Sequence, residues 1–94
     1  MKKGAIEAIQ NGRVKAENMF QILGNFNGDW EIAVAMVASG ALNEEPLLAL
    51  LRKVNGCWVV ARAIIFSRKV PTNNFPEILK LSKHHPMVSC LAIQ

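Results

Sequence analysis

Apolar residues fall in short helical clusters separated by polar punctuation. Leu47, Leu48, Leu50 and Leu51 share one helical face, preceded by Asn43-Glu44-Glu45-Pro46 and followed by Arg52-Lys53-Val54-Asn55-Gly56. Asn43 is a good N-cap residue, Glu44 and Glu45 suit the positive end of a helix dipole, and Pro46 suits its first turn. Arg52 and Lys53 suit the negative end, and Asn55-Gly56 breaks the chain. The next cluster, Cys57 to Phe66, is apolar except for Arg62, and Pro71 stops helix beyond Val70. The same reasoning predicts seven short helices, near residues 3–11, 15–25, 28–39, 43–54, 56–68, 73–83 and 85–93.

The clusters repeat. Gly28-Asp29-Trp30-Glu31-Ile32-Ala33 lies over Gly56-Cys57-Trp58-Val59-Val60-Ala61 at a shift of 28 residues. Met19-Phe20-Gln21-Ile22-Leu23, Leu47 to Leu51 and Phe75-Pro76-Glu77-Ile78-Leu79 keep that shift. So do three further columns: Val14, Leu42 and Val70; Ala5, Ala33, Ala61 and Ser89; and Ile9, Val37, Ile65 and Ile93. A fixed period of two helices marks a stacked-repeat architecture. The expected fold is therefore all-α: an α-α superhelix of about three 28-residue helical hairpins behind a leading half-unit, forming one domain over residues 1–94. Helices of about ten residues are marginal alone and hold by burying a face against their neighbours. Ala33, Ala61 and Ser89 are small enough to bring successive second helices close together. Trp30 and Trp58, in the first turns of those helices, are expected in the core; the competing expectation is an exposed anchor.

Composition narrows the class. Half the residues are apolar and 19% are charged, which excludes disorder. The longest apolar run is far short of the roughly 20 residues that span a bilayer. The stretch after Lys2-Lys3 is too polar for a signal peptide, so a cytoplasmic protein is expected. Two cysteines, Cys57 and Cys90, make no disulfide framework and are expected as buried free thiols. The net charge of +4 permits an acidic partner without demanding one.

Leu47-Leu48-Ala49-Leu50-Leu51-Arg52-Lys53, followed by Trp58-Val59-Val60-Ala61-Arg62-Ala63-Ile64, resembles a short HEAT-like repeat of the compact kind found in phycobilin lyase-type proteins. The unit from Ile78 to Ala92 has the same outline. Gly56 and His84 stand near the turn where that family often carries Asp, and Val59 and Met87 replace its early polar position. The resemblance implies an α-solenoid used for protein–protein contact.

Candidate chemistry is sparse. Asp29, Cys57 and His85 hold equivalent positions in successive units and together suggest nucleophilic catalysis. Neighbouring helices lie about 8–10 Å apart, however, whereas a nucleophile and its base need roughly 3 Å. His84, His85 and Cys90 lack metal-ligand spacing, and no phosphate-binding glycine motif occurs. No cofactor, metal or catalytic residue is expected. Arg13, Lys15, Arg68 and Lys69 fall in turns along one edge, with Arg52, Lys53, Lys80 and Lys83 along the other, so nucleic-acid binding is one alternative function. A small lyase-type enzyme subunit is another. The leading expectation is a non-enzymatic adaptor that binds another protein. The final helix, Met87 to Ile93, is apolar with no capping layer after it, so Met87, Leu91 and Ile93 are the expected partner-binding residues, for a homodimer or another protein.

Overall fold

Helix starts in the computed structural model, which describes residues 2–93 with side chains as far as Leu91, keep the sequence period. The elements are α1 (Lys2–Gln10), α2 (Ala16–Asn25), α3 (Trp30–Ala38), α4 (Glu44–Lys53), α5 (Trp58–Ser67), a 3₁₀ turn (Thr72–Asn74), α6 (Phe75–Leu81) and α7 (Pro86–Ile93). Lys2, Trp30, Trp58 and Pro86 open the odd-numbered helices at a spacing of 28; Ala16 and Glu44 open α2 and α4 at the same spacing, and Thr72 opens the 3₁₀ turn that leads into α6. The fold is all-α, with no strand among the described residues. No described helix is long and apolar enough to cross a membrane.

The odd-numbered helices touch in chain order, α1 to α3 to α5 to α7. On the other side α4 packs on α6, and α2, α4 and α6 each contact the odd helix that follows. The molecule is elongated, 36 × 21 × 17 Å. One apolar cluster runs between the two rows. Met19, Leu23, Leu47, Leu50, Leu51 and Ile78 enter it from the even helices; Ile9, Ile32, Met36, Val60, Ile64 and Val88 enter it from the odd ones. Each such side chain contributes about 1.5–3 kcal/mol when fully buried. Ala33 and Ala61 are fully buried where α1, α3 and α5 pack in succession, as expected of residues that let helices approach.

Helix ends repeat as faithfully as helix starts. The N–H groups of Gly28, Gly56 and His84 donate to the carbonyls of Leu23, Leu51 and Leu79 at 2.9, 2.9 and 2.8 Å, the wrap that closes a helix through left-handed residues. Asn27, Asn55 and Lys83 precede them with φ of 59°, 57° and 58°. At Gly56 the absence of a side chain is obligatory. A Cβ there would lie 1.7 Å from the Leu81 carbonyl oxygen, where this turn leans on the end of α6. Gly28 leans on the Lys53 carbonyl in the same way, more loosely, at 3.5 Å.

Several expectations need correction. Asn43 stands at the N-cap of α4, but its side chain makes no capping bond, and the neighbouring Glu44 accepts instead from the Asn74 side chain. The helix expected over 73–83 opens as a 3₁₀ turn and regular helix ends at Leu81. Pro76 cannot donate in its first turn, and Lys83 and His84 are left-handed. The cysteines are free but not buried: Cys57 is half-buried at the N-cap of α5, and Cys90 is exposed on α7.

The two tryptophans also part company. Trp58 is half-buried and packs against the core, as expected, beneath the His85 ring. Trp30 is 48% exposed. By the period, the residue that stands to Trp30 as His85 stands to Trp58 is Cys57, which has no ring to cover it.

Candidate protein-interaction face

The odd helices have more apolar surface than the core consumes. α3 carries one charge, Glu31; α5 carries one, Arg62; α7 carries none. A helix apolar around its whole circumference needs cover on every side. The even row covers one side of α3 and α5. Its own outward side is polar, with Glu17, Asn18, Gln21, Glu45, Arg52 and Lys80 exposed. The outward side of the odd row is not polar. All three large hydrophobic side chains exposed among the described residues lie on it: Trp30 at 48%, Phe66 at 63% and Met87 at 49%.

Between α3 and α5 this face sinks into a groove of about 460 Å³. Val34, Val37 and Ala38 form one wall, Val59, Ala63 and Phe66 the other, and Arg62 and Lys69 stand in the lining as its charged members. A shallower hollow of about 250 Å³ between α1 and α3 shares Val34 and Ala38 and adds Ile6 and Trp30. Gln10 and Glu31 also line this second hollow, so the apolar surface the two share is edged by polar groups at α1 and at the start of α3.

The polar groups around the face are fixed locally. Asp29 caps α3, accepting from the Glu31 N–H at 2.8 Å. Lys2 reaches across from α1 to Glu31 at 2.8 Å and Asp29 at 3.4 Å. The hydrogen bond to Glu31, with Asp29 behind it, holds the Lys2 ammonium above its ordinary pKa. Ser39 and Ser67 close α3 and α5 identically. Their hydroxyls donate to the Met36 and Ile64 carbonyls at 2.6 and 2.5 Å and accept from Ala41 and Lys69 N–H at 3.2 Å.

Of the residues expected to bind a partner, Met87 is exposed on the outward face and Leu91 is half-buried; the Ile93 side chain lies outside the described residues. Phe66 and the α3–α5 groove were not anticipated. The clue was the near-continuous apolar run from Cys57 to Phe66, which leaves α5 no polar side to turn to solvent.

The basic residues Arg13, Lys15, Arg68 and Lys69 are all exposed. Arg13 and Lys69 are equivalent positions two units apart, and the unit between them offers Ala41 and Asn43 there, followed by Glu44 and Glu45. By the period, then, no basic residue stands between the two pairs in the intervening unit. Asp29, Cys57 and His85 sit at the start of three successive odd helices. Asp29 is engaged as a cap, and His85 Nδ1 accepts from the Met87 N–H at 3.2 Å. No group of three or more His, Cys, Asp or Glu side chains that could hold a metal ion occurs among the described residues. Comparison with protein-family models, with curated proteins and with solved structures finds no match.

Proposed function

We propose that this protein is a non-enzymatic, HEAT-like helical-repeat adaptor of the cytoplasm that binds another protein through the outward face of its odd-numbered helices. The observation that carries the reading is Phe66, 63% exposed on a helix with a single charge and beside an apolar groove. Contiguous exposed apolar surface of this kind marks interaction sites, and aromatic side chains dominate their energetics. The period supports the repeat reading, since stacked hairpins present one row of helices as an extended binding surface. Met87 and Leu91 extend that surface along α7, where it can also serve pairing between two copies.

The test is site-specific photo-crosslinking in the native cell. A benzophenone amino acid at position 66 should give a discrete adduct with a polypeptide, whereas one at exposed Gln21 on α2 should not. Adducts with nucleic acid alone, or equal labelling from both positions, would replace this reading with another.

Nucleic-acid binding through Arg13, Lys15, Arg68 and Lys69 draws less support, because Glu44 and Glu45 interrupt those residues. An enzymatic role through Asp29, Cys57 and His85 draws less again, because two of the three already serve as helix caps.

A further inference from the structure

We infer that the occupant of the α3–α5 groove is an amphipathic helix carrying carboxylates along one flank of its apolar stripe. The inference rests on the adaptor reading and adds the chemistry of the partner. The groove wall is apolar, both charges in its lining are cations, and no carboxylate lines it. The ion pairs among the described residues join Lys2 to Asp29 and Glu31 and Arg52 to Glu77, leaving Arg62 and Lys69 out. The Arg62 guanidinium is already positioned, lying over the Trp58 ring at 5.5 Å from its centroid. A guanidinium held over an aromatic face by a cation–π contact retains N–H donors that fit a carboxylate bidentately. Lys69 follows left-handed Arg68, with its N–H held by Ser67 Oγ at 3.2 Å.

Arg62 lies within α5 and Lys69 just beyond the left-handed residue that ends it, with Phe66 between them in sequence. A trough between two packed helices accepts a third helix by fitting ridges into grooves, with apolar side chains at successive turns as anchors. A second copy is a poorer occupant of this groove, because two-fold packing of groove on groove sets Arg62 and Lys69 against themselves.

The probe is a displayed library of 18-residue helix-forming peptides with a fixed leucine stripe and flank positions varied among Glu, Gln and Lys, sorted against the whole protein. The expected enrichment is Glu at the flank positions. Arg62→Gln with Lys69→Gln should weaken the selected peptide on the order of tenfold, about 1.4 kcal/mol, as fits solvent-accessible ion pairs. Arg13→Gln with Lys15→Gln should leave affinity unchanged, and Phe66→Asp should abolish it. Enrichment of Gln or Lys flanks would overturn the acidic helix while leaving the adaptor reading to the crosslink at position 66. Failure to enrich any helix, or binding indifferent to Phe66→Asp, would overturn the groove as a helix site. Phe66-dependent dimerisation in sedimentation would replace the acidic helix with a second copy.

Discussion

Trp58 and His85 stack face to face, with ring centroids 5.0 Å apart and planes 9° from parallel. The contact ties the first turn of α5 to the residue that caps α7, and Arg62 adds a cation over the same indole. His85→Ala therefore removes a cap and a ring together, at a cost of about 1–2 kcal/mol. In a double-mutant cycle with Trp58→Ala, read by urea denaturation, the two changes should couple by about 0.5–1.5 kcal/mol. Strict additivity would show that the stack contributes nothing.

Glycine substitutions should separate two costs. Gly12→Ala meets only its left-handed backbone, with no atom within 4 Å of the new Cβ, and should cost about 1–2 kcal/mol. Gly56→Ala adds a collision with the Leu81 carbonyl and should cost about 3 kcal/mol or more. Equal losses from the two variants would contradict the close approach of this turn to α6.

His84 occupies the position that Gly28 and Gly56 hold in earlier units, at a φ of 55°. His84→Gly should therefore stabilise the protein by roughly 1 kcal/mol, the relief of left-handed strain less the added freedom of the unfolded chain. A fall in thermal midpoint would mean that the exposed imidazole makes a contribution of its own.

Lys2 supplies a pH-dependent tie between α1 and α3. Its pKa is raised in the folded state above the ordinary 10.5, so the stabilisation is fully present below that value and is lost as pH rises through the higher folded one. The gap in stability between the native chain and Lys2→Met should be flat from neutral pH to the ordinary lysine range. It should close above that range, and also in about 1 M salt, because the pair is solvent-accessible. A gap that persists in strong alkali would assign it to packing by the lysine stem.

Phe66→Asp should leave the helical content intact and change stability by no more than about 0.5 kcal/mol, since the side chain is mostly in solvent. Binding of a hydrophobic dye should fall. Native thiol titration should find Cys90 reacting ahead of half-buried Cys57.

Much of the fold was legible because the period is carried by core and turn residues alike. Ile32, Val60 and Val88 are all buried at one register, and Asn27-Gly28 and Asn55-Gly56 announce the turns. The exposure of single side chains was less legible. Trp30 and Trp58 look equivalent in sequence, and their difference is made by the residue 27 positions downstream of each, Cys57 or His85. Likewise Val34 and Phe66 read as core from hydropathy alone. Their outward placement follows only once the even helices have taken the other side of α3 and α5.

Gly28 approaches the end of α4 at Lys53 and Gly56 the end of α6 at Leu81, so the same kind of turn meets the next even-numbered helix twice along the chain. A further unit seated through such a turn would extend the molecule by one helix spacing, about 10 Å, and copy a row of outward side chains with it. The reach of the apolar face is then a matter of counting units: duplicating residues 29–56 should yield a longer molecule with one more groove and unchanged ends.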